Sequence, residues 1–122
     1  MKKLVVTGCS GYIGGTFCYE ALKNGFEVLG IDNFISSDKK NVEIFKSRFQ
    51  KFNFRELDLA SQFEDLDSLL SNYDPDCIIH FAGLKSISES EDNPLLYWSN
   101  NDESTHNLLR SCKPGIKFIF ST

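Results

Sequence analysis

Thr7-Gly8-Cys9-Ser10-Gly11-Tyr12-Ile13-Gly14 spaces three glycines as Gly-x-x-Gly-x-x-Gly between two patterns of different period. Before it, Leu4-Val5-Val6 is short and wholly apolar, as a strand buried on both faces must be. After it, Ile13, Phe17, Ala21 and Leu22 recur at helical spacing, up to Asn24-Gly25, where a glycine C-terminal cap is expected. A glycine turn that joins a strand to a helix has a specific physical use. Gly8 permits the tight turn, Gly11 lets backbone approach a ligand with no Cβ in the way, and Gly14 allows close helix packing. The free N–H groups and dipole at the helix start favour an anion there.

The same alternation continues along the chain. Glu27-Val28-Leu29-Gly30-Ile31 reads as a second strand, and Val42, Phe45 and Phe49 mark one face of a second helix. Phe52 to Leu57 alternates as a third strand. Ser61-Gln62-Phe63-Glu64 has the form of a capping box, with Leu66, Leu69 and Leu70 lining the helix that follows. Asp74-Pro75-Asp76 is a turn, and Cys77 to Phe81 is a fourth buried strand. Asn93-Pro94 reads as an N-cap with Pro at the first helical position, opening a helix that runs to about Cys112. Pro114-Gly115 breaks it, and Lys117 to Ser121 is a fifth strand. Strand–helix repeated four times and closed by a strand predicts an α/β fold with a doubly wound parallel sheet of five strands, Rossmann-type. Residues 1–122 are expected to form one domain, since 122 residues support a single core.

Asp32 ends the second strand, eighteen residues past Gly14. A carboxylate there accepts hydrogen bonds from an adenosine ribose and repels a 2′-phosphate, so glycine turn and Asp32 together imply a dinucleotide, NAD in preference to NADP. Bulk composition agrees. Hydrophobic residues are 41% and charged residues 25%, an ordinary globular balance. With 13 Lys and Arg against 17 Asp and Glu the net charge is −4, without the basic surplus of a nucleic-acid binder. The apolar run at the N-terminus stops at Thr7-Gly8, short of a signal-peptide core, and no stretch approaches membrane-spanning length. A cytoplasmic protein with no membrane partner is expected. Cys9, Cys18, Cys77 and Cys112 have no metal-ligand spacing and read as buried reduced thiols.

Three features invite other readings. Tyr19 and Lys23 form a Tyr-x-x-x-Lys pair, but on the helix beyond the glycine turn, where a solvated face is the expectation. His80 lies inside an apolar strand and reads as a core histidine with its ring nitrogens bonded. Glu89, Glu91 and Asp92 read as a solvated loop, and no metal ligands are assigned.

Beyond these physical arguments, several stretches carry a family resemblance. Gly-x-x-Gly-Tyr-Ile-Gly is the form found in extended short-chain dehydrogenases/reductases that act on nucleotide sugars. Asp32-Asn33-Phe34 resembles the Asp-Asn-Leu of the UDP-glucose 4-epimerase family. His80-Phe81-Ala82-Gly83-Leu84-Lys85, then Ser88-Glu89-Ser90, is similar to that family's His-Phe-Ala-Gly-Leu-Lys-Ala-Val-Gly-Glu-Ser. Pro94-Leu95, Tyr97, Asn100-Asn101 and Phe118 to Ser121 resemble its next helix and fifth strand. The resemblance covers essentially the whole chain. It implies that Gly8, Gly11, Tyr12, Ile13 and Gly14 cover a pyrophosphate, and that Asp32, Asn33, Phe34, Ile35, Ser36 and Ser37 surround the adenosine ribose. Asp58 and Leu59 would flank the adenine, with the Asp accepting from its amino group. Phe81, Ala82, Gly83, Leu84 and Lys85 would run beneath the nicotinamide side, and Asn100 would complete the pocket.

For the complete protein the resemblance implies an NAD-dependent isomerase of galactose metabolism, a homodimer, that inverts C4 of a UDP-hexose by transient hydride transfer to NAD. Other nucleotide-sugar epimerases or dehydratases, including those acting on UDP-GlcNAc, are the sister reading. The family places a Ser just after the fifth strand and a Tyr-x-x-x-Lys pair further on. The chain stops at Thr122, before both, so no catalytic residue is assigned and a truncated, non-catalytic NAD-binding module is the alternative. Two positions depart from the family, Asp102 where an apolar residue is usual and Ser104 where Gly is. An Asp on a sheet-facing helix is costly if buried unpaired, so that face is expected to be solvated or packed differently.

Overall fold

A computed structural model describes residues 2–34, 38–81, 95 and 98–120, with 98–100 as backbone alone. Among these residues five strands and four helices alternate: β1 (Lys3–Thr7), α1 (Tyr12–Lys23), β2 (Glu27–Asp32), α2 (Lys40–Arg48), β3 (Phe52–Glu56), α3 (Phe63–Tyr73), β4 (Cys77–His80), α4 (Ser104–Ser111) and β5 (Lys117–Phe120). The strands form one sheet in the order β3-β2-β1-β4-β5, every pair parallel. The sheet thus grows from β1 in one direction to β3, and the chain then returns to the other side of β1 for β4. That reversal is a topological switch point, the place at which open α/β sheets bind ligands outside the carboxyl ends of their strands.

Side-chain alternation divides the core into two layers. Leu4 and Val6 of β1, Val28 of β2 and Ile79 of β4 face one side, where Cys18, Ala21 and Leu22 of α1 and Val42 and Phe45 of α2 cover them. Val5, Leu29, Ile31 and Ile78 face the other, beneath Leu66 and Leu70 of α3 and Leu108 of α4. Both faces of β1, β2 and β4 are therefore dry, which is why their sequences are unbroken apolar runs. Each Leu or Ile buried this way contributes about 1.5–3 kcal/mol relative to exposure. Gly30 faces the first layer, where a Cβ would lie 2.6 Å from Cys9 Sγ and 3.1 Å from the Phe52 ring. Its missing side chain is the space that the Cys9 thiol fills. The outermost strand, β5, leaves Ile119 and Phe120 about half exposed.

Asn24 and Gly25 end α1 as expected, with Gly25 at φ +88. The capping box does not form. The chain begins turning at Asp58, whose carbonyl accepts from Gln62 N at 2.9 Å and whose Oδ1 accepts from Ala60 N at 3.0 Å. Ser61 is consumed in that turn, the N-cap of α3 is Gln62, and no side chain caps the helix. Asn93-Pro94 and Ser121 lie outside the described residues. Trp98–Glu103 winds with the wider π-helical repeat before α4. Asp102 is exposed there, so the solvated alternative for that position holds.

Cys9 and Cys18 are fully buried, Cys77 and Cys112 partly, and all four are free thiols. The Cys18 thiol beside it, and then burial, raise the Cys9 thiol well above its ordinary 9.0. The folded state thus disfavours the thiolate relative to the unfolded chain. The contribution of this group to stability is complete below pH 9 and declines above it, by about 1.4 kcal/mol per pH unit. Urea midpoints should fall between pH 8 and pH 10.5 in the parent chain, and less steeply in Cys9→Ala. Among the described residues no helix is long and apolar enough to cross a membrane, and no group of three or more His, Cys, Asp or Glu is placed to hold a metal ion.

Candidate dinucleotide site

The site is built on the link from β1 to α1. Gly8 adopts φ +70, which a glycine accepts without strain. Its N–H donates to Ile31 O at 2.9 Å, and its carbonyl accepts from Gly11 N at 3.1 Å, so the turn is tied to β2 and to itself. Gly11 is the N-cap of α1, with extended backbone and no side chain over the first turn. Helix geometry leaves the amides of that turn without acceptors inside the helix. Among the described residues, a Cβ on Gly11 would meet only Gly8 O, at an ordinary 3.5 Å. Gly14 differs. Its Cβ would fall well inside van der Waals contact of the Gly8 carbonyl oxygen and 2.8 Å from the Gly8 carbonyl carbon. Tyr12 and Ile13 are 85% and 63% exposed, so the apolar side chains at the helix start stand in solvent rather than in the core.

Asp32, at the end of β2, lies beside this turn. Its Oδ2 accepts from Ser10 N at 3.1 Å and from Ser10 Oγ at 2.5 Å, and its Oδ1 accepts from Phe34 N at 2.9 Å. Asn33 and Phe34 follow, half-buried, with Phe34 at φ +58 and its ring 5.5 Å from that of Phe54. The β3–α3 loop completes this side. Asp58 N donates to Gln62 Oε1 at 2.8 Å, and the buried Leu59 offers its carbonyl to Asn107 Nδ2 at 2.7 Å. Asn107 also donates to Ala60 O at 3.2 Å, so one amide from α4 clamps the loop.

Beyond β4, Phe81 N donates to Thr7 O at 3.2 Å, extending the β1–β4 pairing, and the Phe81 ring packs 5.6 Å from Phe17. His80 is buried in the strand, its Nδ1 2.6 Å from Thr7 Oγ1 and its Nε2 3.0 Å from Thr105 Oγ1. Thr105 Oγ1 donates to Asn101 O at 2.9 Å, which leaves it to accept from Nε2. The network therefore assigns the Nε2–H tautomer, with Nδ1 accepting from Thr7. This is a histidine joining β1, β4 and α4, as the sequence reading expected.

The fold gathers Gly8, Gly11, Tyr12, Ile13, Gly14, Asp32, Asn33, Phe34, Asp58, Leu59 and Phe81 at the carboxyl ends of β1 to β4. Ile35, Ser36, Ser37, Ala82, Gly83, Leu84 and Lys85 lie outside the described residues. Asn100 is placed by its backbone within the π-helical turns, which recur at functional sites. Tyr19 and Lys23 stand at the far end of α1, where Tyr19 packs 6.0 Å from Phe49 and Lys23 Nζ sits 5.4 Å from the Tyr19 ring. That face is packed against α2 rather than wholly solvated. Sequence reasoning missed Ser10 and Asn107, which touch other parts of the site only through the fold. It also missed Gly15, whose Cβ would lie 2.7 Å from Asn41 Nδ2.

A family model described as GDP-mannose 4,6 dehydratase matches residues 5–122. The UDP-glucose 4-epimerase of Pisum sativum is 38% identical over 99% of this chain and 36% of its own length. The UDP-Glc/GlcNAc 4-epimerase of Campylobacter jejuni superposes with a TM-score of 0.91 at 34% identity, over 100% of this chain and 37% of that one. The Bifidobacterium longum UDP-glucose 4-epimerase, solved in complex with NAD+ and UDP, gives 0.90 at 31% identity, over 99% and 37%. The chain spans about a third of the length of these relatives.

Proposed function

We propose, for a chain that belongs to the GDP-mannose 4,6 dehydratase family, that residues 1–122 form the NAD-binding, N-terminal part of a UDP-glucose (UDP-galactose) 4-epimerase. The observation that carries this is the pairing of an amide-lined turn, with only Gly8 O near a Gly11 Cβ among the described residues, with a carboxylate fixed at the tip of the adjacent strand. A diphosphate fits the first and a ribose diol the second.

In this reading Gly8, Gly11, Tyr12, Ile13 and Gly14 hold the pyrophosphate, Asp32 to Ser37 the adenosine ribose, and Asp58 and Leu59 the adenine. Phe81 to Lys85 and Asn100 hold the nicotinamide half. NAD, when bound, supplies a reversible hydride acceptor for C4 of a UDP-hexose. The residues of this chain bind and orient it, and the Asp32 charge disfavours a 2′-phosphate. The complete protein is proposed to be a cytoplasmic homodimer of galactose metabolism. UDP-GlcNAc is an alternative substrate, consistent with the dual name of the Campylobacter jejuni relative.

A second reading has its own support. Within residues 1–122 the one Tyr-x-x-x-Lys pair is Tyr19 and Lys23, at the far end of α1 from the turn. Residues 1–122 alone would then bind NAD without turnover. Calorimetric titration with NAD should show one site, and NADP should bind at least tenfold more weakly. No heat from a folded sample overturns the dinucleotide assignment. Interconversion of UDP-galactose and UDP-glucose by the full-length protein, with none by residues 1–122, separates the epimerase from the binding module.

A further inference from the structure

We propose that Ser10 is a positioning residue that aims the Asp32 carboxylate and thereby sets the preference for a ribose 2′-hydroxyl over a 2′-phosphate, an inference that rests on the dinucleotide reading above. A carboxylate at a strand tip is free to rotate about its own axis unless something holds it. Here one residue supplies two donors to one oxygen: Ser10 N and Ser10 Oγ both meet Asp32 Oδ2, at 3.1 and 2.5 Å. Phe34 N takes one position on Oδ1, at 2.9 Å. A carboxylate offers about four acceptor positions, so the three donors among the described residues leave it about one, on Oδ1. The negative charge is thus fixed in place, with an Oδ1 position that the described residues leave for a ligand hydroxyl.

Ser10 is itself held. It is 6% exposed, and its carbonyl accepts from Asn41 Nδ2 of α2 at 3.4 Å. Asn41 reaches that carbonyl across Gly15, where any side chain would crowd it. The Ser10 amide faces Asp32, so it belongs to the ribose side of the site although it lies in the phosphate turn. The residue therefore links the two halves of the site: moving the turn moves the carboxylate.

The test is the ratio of NADP to NAD dissociation constants, by calorimetry on the full chain. Removing the hydroxyl with Ser10→Ala takes away a charge-assisted hydrogen bond, which corresponds to about a tenfold weaker affinity for NAD. Affinity for NADP should change less than about twofold, so the ratio falls about tenfold. Ser10→Cys keeps the side-chain shape with a weak donor and should lie between the parent and Ser10→Ala while melting close to the parent. If both variants fold and bind with an unchanged ratio, or lose NAD and NADP in equal proportion, Ser10 is not a positioning residue. A parent chain that binds neither dinucleotide is a different result: it removes the site assignment itself.

Discussion

Replacing Gly14 by Ala is expected to lower the melting temperature by about 8 °C or more and to weaken NAD binding at least tenfold. In an ordinary helix the same change would stabilise by about 1 kcal/mol, because Ala loses less backbone entropy than Gly. At position 14 the added Cβ would overlap the Gly8 carbonyl and come within 3.4 Å of Cys9 N. These are backbone atoms, and they cannot swing aside. Gly8 is tied on both sides, by its N–H to Ile31 O and by its carbonyl to Gly11 N. Relief therefore requires displacing α1 from the end of β1, at about 3 kcal/mol or more. The net loss of about 2 kcal/mol or more corresponds to about 4 °C per kcal/mol in a domain of this size. Gly15→Ala is the informative neighbour. Its Cβ would meet the end of the flexible Asn41 side chain at 2.7 Å and the Cys9 carbonyl oxygen only at 3.3 Å, a milder backbone contact than at Gly14, so the cost should be smaller and should fall largely on the Asn41 contact to Ser10. Thermal melts of the two variants decide the matter: equal melting temperatures would mean that the close approach at Gly14 carries no energetic weight.

The strands that decide the fold were legible because they are buried on both faces. Leu4 to Val6, Val28 to Ile31 and Cys77 to Ile79 have no polar positions to blur their outline, and Gly25 marks its helix end through backbone conformation alone. What local patterns do not encode is which strands become neighbours. The order β3-β2-β1-β4-β5 follows from α3 and α4 covering the face opposite α1 and α2, and that depends on packing across the whole sheet. The failed capping box shows the limit of a four-residue pattern. Ser61 and Glu64 have the right types and spacing, but Asp58 and Gln62 start turning the chain three residues earlier. The site divides in the same way. The glycine turn and Asp32 were visible because each works through its own backbone position. Ser10 and Asn107 were not, since their partners lie 22 and 48 residues away and meet them only once β1 lies beside β2 and α4 beside the β3–α3 loop. Gly30 did carry a local signal, a glycine inside a strand, which marks a close approach; the approaching group is the Cys9 thiol.

Asp32→Ala should produce the largest functional change. In the proposed site it removes the acceptor of the ribose hydroxyl, a charge-assisted bond of about 1.5–3 kcal/mol, so NAD affinity should fall about 10- to 100-fold. It also removes the charge that opposes a 2′-phosphate, so NADP affinity should hold or rise and the preference for NAD should vanish. The folded chain suffers too. Ser10 N, Ser10 Oγ and Phe34 N lose one common acceptor, and the Ser10 pair is largely shielded from water. Losing a shared charged acceptor of this kind costs about 1–3 kcal/mol. Because Ser10 and Asp32 act through each other, the double variant Ser10→Ala/Asp32→Ala should be destabilised less than the sum of the single variants. The gap is expected to be about 0.5–3 kcal/mol, as for residues in direct contact. Urea unfolding of the four proteins measures it directly. A cycle that closes additively, within about 0.3 kcal/mol, would mean the Ser10 hydroxyl and the carboxylate are energetically independent despite their separation of 2.5 Å, and the carboxylate would have to be held by the backbone amides of residues 10 and 34.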